Sequence, residues 1–129
     1  MGFENDQFDF LTSDPGVSAL IVDRLYPVFE PVDSGYPSIA YQFIGGSSGI
    51  LAHDGATNIR NDRVQYTITA ESYSAAKSVS AAVRAALRGY RGIMGGSFVY
   101  FCDVTADIDG YDSINNLKTI RIDAIFQYS

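Results

Sequence analysis

The sequence predicts an α+β fold: a mostly antiparallel sheet of about five strands, with a long helix in the C-terminal half and a broken N-terminal helical region packed on it. Three observations carry this. Arg63 to Ser72 (RVQYTITAES) alternates strictly, with Val64, Tyr66, Ile68 and Ala70 on one side and Gln65, Thr67, Thr69 and Glu71 on the other. That period of two is the mark of a strand with one covered and one polar face. Ser74 to Arg88 (SAAKSVSAAVRAALR) instead repeats Ala75/Ala76, Val79, Ala82/Val83 and Ala86/Leu87 every three to four residues, as one helix face requires. Strand-like segments also follow one another without intervening helices, which favours antiparallel pairing with the helices gathered on one face.

In chain order, Phe3, Phe8, Phe10 and Leu11 have helical spacing in an acidic segment and predict a helix over about 4–13. Asp14-Pro15-Gly16 breaks it, and Val17, Leu20 and Ile21 fit a short helical turn. Arg24 to Phe29 reads as a short strand, placed at an edge because Pro27 has no N–H to donate. Ser38 to Ile44 alternates Ile39, Tyr41 and Phe43 on one face. Residues 45–61 (GGSSGILAHDGATNIRN) read as one long Gly-rich loop, a length that in a compact domain points to function.

The helix over 74–88 has Ser72 or Ser74 as its N-cap, Arg84 and Arg88 near the negative end of its dipole, and Gly89 just past its end. Residues 92–96 read as loop. Ser97 to Val104 (SFVYFCDV) is a strand apolar on both faces, with Cys102 placed beside Tyr100 and Val104. Such a strand is either covered on both sides or meets a neighbour. Residues 106–116 (ADIDGYDSINN) read as an acidic turn region. Leu117 to Tyr128 closes the chain as a long strand with Ile120, Ile122, Ala124, Phe126 and Tyr128 on one side. No linker or internal repeat divides the chain, so residues 1–129 form one domain.

Composition narrows function. A net charge of −6 repels phosphate backbones and anionic lipid, so specific nucleic-acid binding and membrane docking are not expected. No apolar run reaches the length of a membrane span, and the acidic N-terminus lacks the basic start of a signal peptide. One cysteine excludes an intrachain disulfide and a Cys-based metal site, and one histidine, His53, leaves little for a zinc site or a His-based catalytic pair. No Gly-x-Ser-x-Gly elbow accompanies His53, which reads as a loop residue. Cys102, next to Asp103, reads as a small buried apolar residue.

The acids of DVTADIDGYD fail the calcium-loop pattern. Counting from Asp103 the twelfth position is Ile114, and from Asp107 it is Lys118, where a bidentate Glu is needed. Gly45 to Gly49 lacks the Gly-Lys-Ser/Thr ending of a phosphate loop. No catalytic group, cofactor site or metal site is therefore expected. Nine tyrosines and eight phenylalanines without a tryptophan exceed what one small core uses, and they favour assembly.

The ordered combination of Asp14-Pro15-Gly16-Val17-Ser18-Ala19-Leu20, Asp23-Arg24-Leu25-Tyr26-Pro27, Tyr36 to Tyr41, the strand at 63–71, Glu71-Ser72-Tyr73-Ser74-Ala75-Ala76 opening a helix that ends Leu87-Arg88-Gly89, and Tyr111-Asp112 before a last strand resembles the tail-completion or tail-terminator (head–tail joining) proteins of long-tailed bacteriophages. The 45–61 segment is longer and richer in glycine than that family's pattern.

The resemblance implies a non-enzymatic virion protein. It would form a ring, a homohexamer, that caps the head-proximal end of the tail tube and contacts the tail-tube protein and the connector or neck protein. Duplex DNA would pass through the ring without being gripped. The chain would occupy the virion's tail and neck region, and the host cytoplasm during assembly. The candidate interaction residues are Gly46, Ile50, Leu51, His53, Asp54 and Asn58 in the first loop, and Asp107, Asp109, Tyr111 and Asp112 in the second. The rival readings are another virion assembly component, a tube subunit or connector stopper, and a small dimeric ligand-binding or enzyme-like domain.

Overall fold

The computed structural model describes residues 3–27, 35–47, 51–52, 55–56, 60–113 and 116–129. Its elements are α1 (Phe3–Ser13), α2 (Pro15–Ile21), β1 (Leu25–Pro27), β2 (Ser38–Ser47), β3 (Leu51–Ala52), β4 (Gly55–Ala56), β5 (Arg60–Ala70), α3 (Tyr73–Leu87), β6 (Gly92–Met94), β7 (Ser97–Asp112) and β8 (Leu117–Tyr128). Six strands form one sheet in the order β1-β2-β5-β8-β7-β6, and β3 and β4 pair separately. The α+β class and the mostly antiparallel sheet stand. The expected five strands become six plus a small hairpin, and β1 runs parallel to β2.

The core follows from the alternation. Val64, Tyr66, Ile68 and Ala70 of β5 and Ile120, Ile122, Ala124, Phe126 and Tyr128 of β8 are all buried, as their spacing predicts. They pack against Ala76, Val79, Val83 and Leu87 of α3, with Val17 and Ile21 of α2 and Phe3 and Leu11 of α1 in the same cluster. Alanine and valine on the buried stripe of α3 let the helix lie close to the sheet. Phe3 stacks on Tyr128 at a centroid distance of 3.9 Å and meets Phe126 edge-on at 4.9 Å. Several residues of this size, fully buried, each contribute roughly 1.5–3 kcal/mol by transfer from water.

The helix ends are satisfied locally. Asp14 accepts from the Val17 N–H at 3.1 Å, and Ser72 accepts from the Ala75 N–H at 3.1 Å. Past α3, Gly89 takes φ 74°, a conformation natural to glycine after a helix, and its N–H donates to the Cys102 carbonyl at 2.8 Å.

Four expectations change. Residues 92–96 contain the three-residue strand β6, paired to β7. The 45–61 segment is no single loop: β2 runs on to Ser47, β5 starts at Arg60, and β3 pairs with β4 between them. The supposed turn at 106–116 is mostly strand, because β7 continues to Asp112 and β8 starts at Leu117. Last, Tyr100 does not share a face with Cys102. A register shift between Val99 and Phe101 makes Tyr100 the extra residue of a bulge, so Val99, Cys102 and Val104 are the buried ones. Of the strand expected over 24–29, residues 28–29 lie outside the described residues.

Candidate functional site

All three helices contribute to a single core on one side of the sheet, and among the described residues no helix or strand covers the other side. The uncovered face is built from the alternate positions of each strand: Gln42 of β2, Arg63, Gln65 and Thr67 of β5, and Thr119, Arg121, Asp123, Ile125 and Gln127 of β8. β7 adds Phe101, Asp103 and Ile108, opposite Gln127, Ile125 and Arg121 respectively.

This face is mostly polar but carries apolar side chains in the open. Phe101 is 51% exposed, Ile108 48% and Ile125 39%. Phe101 and Ile125 lie diagonally across the β7–β8 ladder, close enough to form one patch. Beside them Arg63 is ion-paired to Asp123, a carboxylate almost out of solvent, and the Thr105 hydroxyl donates to the Asp123 carbonyl at 3.4 Å. Sequence reading noted apolar residues on both faces of 97–104. It did not single out Phe101, Ile108 or Ile125, since a bulge cannot be located from the residues alone.

The predicted site residues separate into two groups. Ile50, His53, Asp54 and Asn58 lie outside the described residues. Gly46 is in β2 of the main sheet opposite Asp62, and Leu51 is in β3 opposite Ala56, in the small β3–β4 finger that lies between β2 and β5 in sequence. Asp107, Asp109, Tyr111 and Asp112 stand on β7, opposite Ile122, Ile120, Lys118 and Leu117. Asp109 accepts from the Tyr73 hydroxyl at 3.0 Å, which ties the far part of β7 to the start of α3. Tyr111, 58% exposed, donates to the Asn116 side chain at 2.8 Å, and the Lys118 ammonium lies 5.2 Å from its ring centre. The fold thus places the second group along a strand rather than on a loop.

The buried polar groups serve the fold. Gln7 donates to the Glu4 carbonyl at 2.8 Å and accepts from the Tyr66 hydroxyl at 2.8 Å. Asp62 accepts from the Tyr128 hydroxyl. Burial, then that carboxylate, pushes the Tyr128 phenol up to about 12. Burial, then the hydrogen bond to Glu4, does the same for Tyr41. Cys102 is fully buried, and desolvation followed by Asp103 raises its thiol to about 12, so it is no nucleophile. Among the described residues no group of three or more His, Cys, Asp or Glu is placed to hold a metal ion. Among them, too, no helix is long and apolar enough to cross a membrane. The chemistry on offer is that of surfaces: an open sheet face, its edges and a finger.

Comparison with known proteins agrees. A search of curated proteins finds none that matches the sequence. Among solved structures, the fold is similar to a chain of the "Virion of native gene transfer agent (GTA) particle", with a TM-score of 0.73 at 14% identity, covering 94% of this chain and 90% of that one. The profile of the family described as "Tail completion protein gp17" matches residues 8–127. That span takes in α1 from Phe8 onward, all of α2 and α3 and the sheet up to Gln127, and the chain belongs to the tail completion protein gp17 family, as a structural protein of a phage-type virion tail.

Proposed function

We propose that this chain forms a closed ring, most simply of six copies, that caps the head-proximal end of the tail tube and joins the tail to the connector or neck. The observation that carries the reading is the uncovered sheet face with Phe101, Ile108 and Ile125 exposed on it, in a chain whose family is that of tail completion. Exposed apolar side chains on a face rimmed by polar residues mark a contact surface. The segment between β2 and β5 that includes the β3–β4 finger, with Gly46, Ile50, Leu51, His53, Asp54 and Asn58 as its candidate contacts, and the far part of β7 with Asp107, Asp109, Tyr111 and Asp112, are assigned to the tube and the connector.

Native mass spectrometry over rising concentration, with negative-stain imaging of large species, tests the ring. A closed ring of fixed size supports the cap; open-ended growth means a tube subunit; a dimer that never grows means a different kind of domain. Deleting residues 47–57 tests the finger: the variant is expected to fold and to leave tails unjoined to heads, and infectious particles from it would overturn the assignment.

A further inference from the structure

We propose that neighbouring copies join by strand pairing, the outer edge of β7 in one copy against the outer edge of β2 in the next, so that the sheet runs on from subunit to subunit. The inference rests on the ring reading and specifies its contact.

The two edges are open in complementary places. On one side of the sheet, β1 covers only Ile39 to Tyr41 of β2, leaving the edge from Gln42 to Ser47 without a strand among the described residues. On the other side, β6 covers β7 only from Ser97 to Val99, and the Gly89 N–H takes the Cys102 carbonyl. From Asp103 to Asp112 no described strand lies beside β7, an open edge of about 30 Å at the usual rise per residue.

Register shows which backbone groups face outward. Phe98 and Ser129 exchange both backbone hydrogen bonds at 3.0 Å, and antiparallel ladders alternate from such a pair. Carried through the two bulges, the alternation turns the N–H and C=O of Val104, Asp107, Asp109 and Tyr111 away from β8. The Cys102 carbonyl bonded to Gly89 confirms the phase. On β2, the Ile39 N–H bonded to the Arg24 carbonyl sets the same alternation and turns Phe43 and Gly46 outward.

Direction and charge select the occupant. Along β2, β5, β8 and β7 every neighbour is antiparallel, so β2 and β7 run in opposite senses. A second copy rotated about an axis along the strands therefore brings its β2 antiparallel to this β7. Soluble monomers blunt long edges with charges, lysine above all, with proline, bulges or a covering element. The Asp103–Asp112 edge has no lysine or proline, and it carries Asp103, Asp107, Asp109 and Asp112. Two β7 edges against each other would set acids opposite acids, which disfavours a two-fold contact. Gln42 to Ser47 carries no charge, so β2 accepts β7 without that penalty. A contact between two different edges is heterologous, the kind that closes rings.

The test uses two prolines at outward N–H positions. Asp109→Pro removes the β7 edge and Gly46→Pro the β2 edge, while each leaves the internal ladder intact. Asp109→Ala, which loses the Tyr73 contact but keeps the N–H, and Gly46→Ala are the controls, and far-UV circular dichroism and thermal melting check folding. By native mass spectrometry each proline variant alone should need about tenfold or more protein to assemble, while the alanine variants assemble like wild type. Mixed together, the two proline variants should give a dimer and stop, because one good edge meets one good edge once.

Rings from either proline variant at wild-type concentration would overturn the edge contact and leave the ring reading standing. Assembly by Gly46→Pro alone would overturn it in favour of β7 paired with β7. A wild-type chain that stays monomeric at every concentration would overturn the ring reading, and this contact with it. Should a proline variant not fold, a cysteine at position 107 paired with cysteines placed in turn at 42, 44 and 46 reads the same contact by disulfide formation between copies. Absence of every cross-link in the assembled ring overturns it.

Discussion

The two ends of β7 are one strand in two surroundings. From Ser97 to Cys102 it has β8 on one edge and β6 or the end of α3 on the other, and Val99 and Cys102 are buried. Beyond Cys102 β8 alone among the described strands pairs with it, acids replace most apolar residues, and Ile108 and Tyr111 stand exposed. Stability is concentrated where both edges and one face are occupied. The far half is held by the β8 ladder and by the Asp109–Tyr73 and Tyr111–Asn116 hydrogen bonds, and it leaves one backbone edge without a described strand beside it. Four changes break or sharpen that contrast.

The largest effect falls at the near end. Phe126, opposite Cys102 and packed on Phe3, is fully buried; Phe126→Ala should cost about 3–5 kcal/mol, seen as a drop of about 10 °C or more in Tm. Tyr66→Phe removes a hydroxyl whose partner, the Gln7 side chain, is sealed from water. A loss of about 1–3 kcal/mol by urea denaturation follows from the orphaned amide oxygen.

Alkali should act on buried protons. The Cys102 thiol and the Tyr41 and Tyr128 phenols hold their protons up to about 12 when folded, against 9.0 and 10.0 for the free groups. The unfolded chain releases protons first, so stability is full below about pH 9 and declines as pH rises from there towards 12. Cys102→Ala should move the onset of that decline upward by about one pH unit in a denaturation series. Smallest is the far half: Ile108→Ser should change monomer stability by less than about 0.5 kcal/mol while weakening self-association. A large loss of stability there would mean that the far half is core after all.

The strongly periodic elements were legible in the residues. Strict alternation in β5 and β8 and the three-to-four spacing of α3 named most of the core, because in each the pattern and the packing obey the same geometry; buried Thr69, Ser80, Leu117 and Asp123 fell outside those patterns. Residues 106–112 were misread because Asp and Gly have poor strand propensity, and the ladder along β8 overrides it. β6 is three residues, too short to show a period; β1 was legible as an edge strand from Pro27, but its parallel pairing with β2 leaves no mark in composition. Of the candidate site residues, the acids at 107, 109 and 112 were expected in a loop and lie instead on a strand, along an edge with no described strand beside it. Phe101 and Ile125 were missed because their exposure depends on which face the helices leave bare.

The position of β8 has a consequence for how the molecule comes into being. It is the last strand in sequence, yet it stands between β5 and β7 and pairs with both along nearly its full length. During synthesis the earlier strands emerge without the partner that joins them, and α1 waits too, since Phe3 needs Tyr128 to stack upon. The sheet closes only after Leu117 to Tyr128 has left the ribosome, and contacts so distant in sequence form slowly. Until then the long edges of β5 and β7 are bare, so a translating polysome is where this chain is most exposed to pairing with the wrong neighbour.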